Sequence, residues 1–524
     1  MQLLRSISQS KWLLIAALVA LAVAPTFISY RPYRFAWDDA EYLWRSILVS
    51  RAFWSGNGHQ LVRAMVSIRP PSVTFLAVPW GSLVSWSAAG KCFFALAAAI
   101  SLLVALCLYL LLRIGVRPLL LLAASLCLTV ALGPWPARPS AHGPYPPGPD
   151  AHWSATAFLA DCLFAWATLA AVLLLPLEAR SRSASTRSAF RRGFLWGAVF
   201  SLGVLTKLDS LYFVALLLPA LFLIRLEAGG PRQALSALTA FCCCAAPAAF
   251  YLLRWGRLAV YNAMASSYGT YRTVAASFSV TLSRFLSQTL RESPGMAIWL
   301  LLTVAAFAIF FLRRRDLASE TAKADILAFL IVCVFLLMVL ASHNREIRFA
   351  FPAIVALPFL AAIMLSGKQP PVPARIAALA AALVFCGLAA ASWPMRSRPD
   401  PQSLRRADAV LALAAECHTT TVLLATDSPT LNLELMDLAT VLPSPPIPVN
   451  SYTLANNAAS LTPIQTDFQE IRRSDLVVFQ NATALYPPYT NQRVQDYESY
   501  LRQAGFAPTR LSPDLTAYPI HCSR

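Results

Sequence analysis

Long apolar segments separated by short arginine-rich loops restrict this chain more than any other feature of its sequence. Hydrophobic residues make up 57% of its 524 residues, and charged residues only 13%. Soluble proteins carry about a quarter charged residues. Apolar segments of this length lie in a lipid bilayer as helices, because a helix satisfies its own backbone hydrogen bonds there. The predicted fold class is therefore an all-α polytopic membrane protein.

The net charge of +18 could suggest nucleic acid as a partner, but the position of the basic residues argues against it. They gather in short loops between apolar segments, most clearly in residues 179–192 and 313–315. Cytoplasmic loops of membrane proteins carry such an excess of Lys and Arg. The basic residues therefore predict topology and a lipid bilayer as partner, with no nucleic acid.

Placing these loops in the cytoplasm gives about eleven transmembrane helices, with the N-terminus inside and the C-terminus outside. Residues 193–226 are too long for one span and are read as a hairpin that turns outside at 206–209. Residues 73–88 are short and interrupted, which favours a re-entrant or interfacial segment. The first outer loop is 30–72, and a second, polar outer loop is 254–293. The predicted spans are 11–29, 92–112, 118–133, 153–177, two within 193–226, 236–253, 294–312, 326–341, 351–366 and 376–393.

The C-terminal part has an ordinary soluble composition, so the chain divides into a transmembrane domain, 1–393, and a second domain, 394–524. Strand-like runs at 421–425 and 475–479 open into polar turns, which is typical of a small α/β domain. The topology makes this domain extracytoplasmic, where Cys417 and Cys522 could form a disulfide. No phosphate-binding glycine loop is found, which disfavours nucleotide hydrolysis.

A tight acidic cluster follows the first apolar segment: Asp38, Asp39 and Glu41, with Tyr42 beside them. If the segment is helical, Asp38, Glu41 and Tyr42 share one face, and Asp39 lies about 100° round the axis. One reading is a solvated helix start, since acids are favoured in the first turn. The other reading, which we prefer in a chain so poor in acid, is a catalytic site.

Two further charged groups fall on the same predicted membrane face. One is Lys207 with Asp209; the other is the stretch 343–348, which contains His343, Arg345, Glu346 and Arg348. Charge at a membrane boundary indicates function by default. The alternative is that Lys207 pairs with Asp209 and the arginines reach lipid headgroups without any reaction.

Together these groups suit group transfer from a lipid phosphate. Lys and Arg can hold the leaving phosphate, and a carboxylate can deprotonate an attacking hydroxyl. A single carboxylate base without a second catalytic acid suits inversion, because a phosphate leaving group needs little protonation.

Residues 38–42 and 345–352 resemble two motifs of the membrane-embedded glycosyltransferases of the C-type fold, which use polyprenyl-phosphate sugars. Protein O-mannosyltransferases, lipid A aminoarabinose transferases and the mannosyltransferases of glycolipid anchors are members. The second motif departs from the family signature, with Asn344 where a His is expected and Arg345 in place of Lys. The resemblance makes a divalent cation (Mg²⁺ or Mn²⁺) possible, since such acids hold one in some family members, but does not require it. No residue is assigned as a metal ligand, and no other cofactor is expected.

The resemblance also implies roles for individual residues. Asp38 or Asp39 is the catalytic base, with Glu41 in the same catalytic group. The donor phosphate is bound by Lys207, Arg345 and Arg348. The remaining substrate-binding candidates are Tyr42, Asp209, Glu346 and His343.

The sequence thus predicts an inverting glycosyltransferase of a bacterial inner membrane. It moves a sugar from a polyprenyl-phosphate donor to a glycan, lipid or protein acceptor on the periplasmic face, and the C-terminal domain helps to bind the acceptor or shields the site. One alternative is a transporter or flippase for lipid-linked sugars, although no inverted repeat is found. The other is a glycan ligase or polymerase with a diphosphate-linked donor.

Overall fold

The computed structural model describes residues 37–65, 70–80, 88–117, 160–181, 185–268, 319–341, 350–366, 463–480 and 489–522 and, with short gaps, 120–128, 299–308 and 404–454. The predicted first and last spans, 11–29 and 376–393, lie outside these residues. So does the predicted domain boundary at 393/394.

Helices make up the first part of the described chain. Several coincide with predicted spans, most clearly α4, α5, α8 and α9, although α8 begins six residues before the predicted 326–341. Residues 72–80 form only a short helix, α3, and one 3₁₀ turn, which agrees with a segment that does not span. The helices are α1 Trp37–Trp54, α2 Gly58–Met65, α3 Ser72–Phe75, α4 Ala88–Ile114, α5 Ala160–Ala179, α6 Thr186–Thr206, α7 Ser210–Tyr268, α8 Glu320–Ala341 and α9 Phe351–Leu365.

Two of the described helices are long and apolar enough to cross a membrane by length and composition, within Ser210–Leu258 and Glu320–Leu340. Shorter apolar helices accompany them at Ala98–Ile114, Leu163–Ala179 and Phe351–Leu365. The predicted total of about eleven spans is not reached by these helices and stays a prediction.

Helix α5 lies at the centre of the helical part and contacts α4, α6, α7, α8 and α9. Its side chains are buried without interruption from Leu163 to Leu175. Charged groups meet only at its two ends. At the later end, Glu178 accepts hydrogen bonds from Arg192 and Arg225, each at 3.1 Å. Beside them, Arg180 forms a two-pronged ion pair with Asp325 of α8, at 2.7 and 2.8 Å.

The predicted hairpin within 193–226 is confirmed, with α6 and α7 joined by a turn at 207–209. The two helices pack closely because glycines of α6 face the backbone of α7. A Cβ atom at Gly193 would lie 1.8 Å from the carbonyl oxygen of Ala237, and one at Gly197 would lie 2.5 Å from the Cβ of Cys244. Small residues at this four-residue spacing let membrane helices approach one another.

The predicted start of the outer loop 254–293 is wrong, because helix α7 continues to Tyr268. Its residues Arg254, Trp255 and Arg257 are polar or amphipathic but compatible with a helix, so polarity did not mark the helix end. The break in α7 lies earlier, at Gly230, whose φ of 74° and ψ of 178° are open to glycine. This break falls in the predicted cytoplasmic turn between two spans.

The last part of the chain forms a small α/β unit, residues 404–522. Both predicted strands are confirmed, as β1 and β3. The sheet has the order β2-β1-β3-β5-β4; β1 is parallel to β2 and β3, and β5 is antiparallel to β3 and β4. Its elements are α10 Arg405–Glu416, β1 Thr421–Leu424, α11 Leu433–Val441, β2 Asn450–Thr453, α12 Ile464–Arg473, β3 Leu476–Gln480, α13 Tyr489–Gln503, β4 Thr509–Ser512 and β5 Leu515–Pro519.

Cys417 and Cys522 form a disulfide, as the sequence allowed, with Cα atoms 4.7 Å apart. It joins the end of α10 to the residues after β5 across 105 positions of sequence. The loop that it closes is long, so the disulfide removes much freedom from the unfolded chain.

The close approach of α6 and α7 gives a first test. Gly193→Ala forces the helices apart, so we expect the free energy of unfolding to fall by about 1–3 kcal/mol. Thermal unfolding of the purified protein in detergent measures this. The matched control is Gly256→Ala in α7, where a Cβ would lie 3.7 Å from Leu252, an ordinary contact. Equal destabilisation by both variants would contradict the packing.

The disulfide gives a second test. We expect the variant Cys417→Ser/Cys522→Ser to lose about 2–4 kcal/mol of stability in the α/β unit. A reductant should lower the melting temperature of the wild type but leave that of the variant unchanged. The control is Cys242→Ser, which removes a free, exposed cysteine. A wild type insensitive to reductant would show that the bridge contributes nothing.

Candidate functional site

The acidic cluster begins the first described helix. Asp38 and Asp39 lie in the first turn of α1, where the helix dipole favours acids; their side chains lie outside the described atoms. The segment is helical from Trp37, which meets the condition under which positions 38, 41 and 42 share one helix face. The roles of Asp38 and Asp39 stay predictions.

Glu41 and Tyr42 are both buried. The carboxylate of Glu41 accepts a hydrogen bond from Nε of Arg45, one turn later, at 3.0 Å. The guanidinium of Arg45 also lies 4.6 Å from the centre of the Trp44 ring. The hydroxyl of Ser46 donates to the backbone oxygen of Tyr42 at 2.7 Å. Glu41 is thus a carboxylate held in place by a cation rather than a solvated surface acid.

Lys207 lies directly after α6, in the turn that leads to α7. Its ammonium nitrogen is 2.5 Å from Oδ1 of Asp161 and 3.7 Å from Oδ2 of Asp209. The pair with Asp209 that the sequence suggested is therefore the weaker of the two. Lys207 and Asp161 are mostly buried, at 18% and 9% side-chain exposure, whereas Asp209 is 47% exposed.

Asp161 was missed by sequence reasoning. It lies in the first turn of α5 and begins a buried apolar helix. The available signal was a lone acid inside the predicted span 153–177, eight residues from its start. Its partner Lys207 is 46 positions away, and no local pattern joins them.

A short path of contacts joins the turn at Lys207 to the acidic helix. Thr206, next to Lys207, shares a 2.8 Å hydrogen bond with Ser72 of α3. The residue after Ser72, Val73, offers its carbonyl oxygen to the hydroxyl of Ser46 on α1 at 3.5 Å. Helix α3 therefore bridges two of the three predicted charged groups.

The third predicted group lies outside the described residues. It comprises His343, Arg345, Glu346 and Arg348, between the end of α8 and the start of α9. The side chains of Asp38 and Asp39 also lie outside the described atoms. Across the residues that the structure does describe, no group of three or more His, Cys, Asp or Glu side chains is arranged to hold a metal ion.

The pair between Asp161 and Lys207 can be tested directly. Asp161→Asn removes the nearer carboxylate from the mostly buried ammonium, so we expect a loss of about 1–3 kcal/mol of stability. The double variant Asp161→Asn/Lys207→Met should lose less stability than the two single variants lose together. Melting temperatures in detergent measure these differences. Glu320→Gln, which breaks the mostly exposed pair with Lys323, is the control and should have little effect. A double variant whose loss of stability equals the sum of the two single losses would contradict an interaction between Asp161 and Lys207.

The fold was compared with those of known proteins. No protein-family model and no curated protein matches the sequence. Two solved structures of ArnT from Cupriavidus metallidurans, a lipid A aminoarabinose transferase, match it. The apo structure has a TM-score of 0.57 at 13% identity and covers 97% of both chains. The structure bound to undecaprenyl phosphate has a TM-score of 0.52 at 14% identity and covers 98% of both. This chain has the C-type fold of membrane glycosyltransferases.

Proposed function

We propose that this protein is an inverting glycosyltransferase that takes a sugar from a polyprenyl-phosphate donor. The observation that carries the proposal is the similarity of fold along almost the whole chain to ArnT, which in one structure binds undecaprenyl phosphate. The acidic helix start and the mostly buried Lys207 supply the chemistry that such a donor needs. Fold alone does not determine function, so the site residues complete the argument.

In the proposed reaction, Asp38 or Asp39 takes the proton of an acceptor hydroxyl as general base. The hydroxyl oxygen forms a bond to the anomeric carbon while the bond from that carbon to the phosphate oxygen breaks on the opposite face. The configuration at the anomeric carbon is inverted, and polyprenyl phosphate leaves with its negative charge. The carboxylate of Glu41, fixed by Arg45, extends the acidic face beside the base.

The leaving phosphate requires cations at the depth of the headgroups. Lys207 can supply one, and the carboxylate of Asp161 orients its ammonium group. Arg345 and Arg348 are proposed to supply two more, with His343, Glu346, Tyr42 and Asp209 as further contacts to substrate. Such charge-assisted contacts grow stronger as charge develops on the leaving oxygen.

The proposed setting is a bacterial inner membrane, with the N-terminus in the cytoplasm and the reaction on the periplasmic face. The disulfide between Cys417 and Cys522 supports a position of residues 394–524 outside the cytoplasm, because disulfides persist in oxidising compartments. The acceptor is a glycan, a lipid or a protein.

The test is transfer of labelled sugar from polyprenyl-phosphate donors in membrane vesicles of both orientations. We expect Asp38→Asn or Asp39→Asn to lower the transfer rate by about 10²- to 10⁴-fold, as loss of a general base does. Arg348→Ala should lower it through weaker stabilisation of the leaving phosphate. Glu320→Gln, an exposed acid in α8, is the control and should transfer normally.

Full activity in both Asp variants would remove the proposed base. An absence of transfer by the wild type with every polyprenyl-phosphate donor would overturn the proposed reaction. Transfer from a diphosphate-linked donor would then indicate a ligase, and uptake of intact donor into vesicles would indicate a flippase.

A further inference from the structure

Helix α11 of the α/β unit belongs to two hydrophobic cores at once. Leu435, Leu438 and Val441 pack into the core of the helical part. Met436 and Ala439, on the other side of the helix, pack into the core of the sheet. The main contact of α11 with the helical part is with α1, the helix that begins with the acidic cluster. The α/β unit is therefore joined to the site by a packed helix pair.

Arg51 fixes the end of this helix pair. Its guanidinium donates hydrogen bonds to the carbonyl oxygens of Val441 at 2.6 Å, Pro443 at 3.3 Å and Leu442 at 3.4 Å. These carbonyls end α11, where the helix dipole favours a cation. Because the end of α11 meets the later part of α1, the earlier part of α11 lies toward the acidic start of α1.

Asp437 lies one turn before Val441, on the part of α11 that faces the acidic motif. Its carboxyl is partly buried. The charged groups that act on it are Arg45 and Glu41 of α1, which form an ion pair with each other at 3.0 Å. The α1/α11 packing thus brings Asp437 close enough to this ion pair for both of its charges to act on the carboxyl.

Among the described elements, those that pack most against α11 are α1, α10 and β2. Their described charged side chains, besides Glu41 and Arg45, are Arg51, Arg405, Arg406, Asp408 and Glu416, and α11 itself carries Glu434. Among all of these, Arg45 and Glu41 are the charges that shift Asp437.

Burial raises the pKa of Asp437 to about 7; the negative charge of Glu41 raises it further, and Arg45 opposes the rise. The carboxyl is therefore neutral in mildly acidic solution and becomes charged as the pH passes neutrality. Once charged, it is attracted by Arg45 and repelled by Glu41.

We propose that Asp437 is a positioning residue for the acidic motif. When charged, its carboxylate attracts the guanidinium of Arg45, which otherwise holds Glu41 in place. This inference rests on the proposed function, because it assigns to the α/β unit a part in the transferase site. The unit does more than cover the membrane domain: it supplies a carboxylate whose charge decides how Glu41 is held.

The first experiment is the pH profile of kcat and KM for sugar transfer by the full-length protein. We expect a titration step in kcat near pH 7 in the wild type, its loss in Asp437→Asn and its return in Asp437→Glu. The matched control is Asp408→Asn in α10. Asp408 is also an acid whose pKa is raised by burial, but no charge of α1 acts on it. It should keep the step. Persistence of the step in Asp437→Asn, or its loss in Asp408→Asn, would overturn the inference.

The second experiment needs no transfer activity. The raised pKa means that the folded state binds a proton more tightly than the unfolded chain. This stabilisation is full in acid and is lost as the pH rises from about 4 through 7. We expect Asp437→Asn to remove this loss in melting temperature, and Glu41→Gln to shift it to lower pH because one negative neighbour is gone.

The two experiments separate the two proposals. The stability experiment could show that Glu41 affects the titration of Asp437 while the wild type transfers no sugar. That result would support the interaction between the two carboxylates and remove the proposed reaction. Transfer by the wild type, without coupling in stability, would keep the reaction and remove Asp437 from the site.

Discussion

The burial of α5 is the constraint on which the helical part depends. Thirteen consecutive residues, Leu163 to Leu175, are covered by five other helices, so charged groups can meet only at the two ends. Asp161 and Glu178 are 17 positions apart, about 25 Å along a helix. That length approaches the thickness of a bilayer's hydrocarbon core, about 30 Å. An ion pair thus lies at each end of a buried apolar stretch of about that length.

The end of α5 that carries Asp161 is also where the candidate site forms. Lys207 is held there by Asp161, and the turn that carries it is joined through α3 to α1. Helix α1 is held a second time, by α11 on its other side. An acidic motif at a helix start becomes a defined site only because both contacts limit where that helix can lie. Positioning of reacting groups is one large contribution of a protein to group transfer.

The sequence predicted what depends on local pattern. Apolar length predicted α4, α5, α8 and α9, and strand-like apolar runs that open into polar turns predicted β1 and β3. It could not predict the partners of Lys207 or Glu41, since these depend on packing between distant segments. The four-residue spacing of Gly193 and Gly197 was readable but gains meaning only once α7 lies against it. The end of α7 at Tyr268 was mispredicted because polarity and helix formation are separate properties.

The hydrogen bond from Arg51 to Val441 spans 390 positions of sequence. During synthesis, α1 emerges among the first segments and α11 among the last, and chains fold largely as they emerge. The acidic helix therefore spends most of biosynthesis without the partner that fixes its later part. Completion of the α/β unit closes this helix pair, so a chain interrupted before residue 433 keeps the contacts of α1 with α2, α3 and α4 but lacks its contact with α11. Assembly order thereby ties the readiness of the site to the integrity of the whole chain.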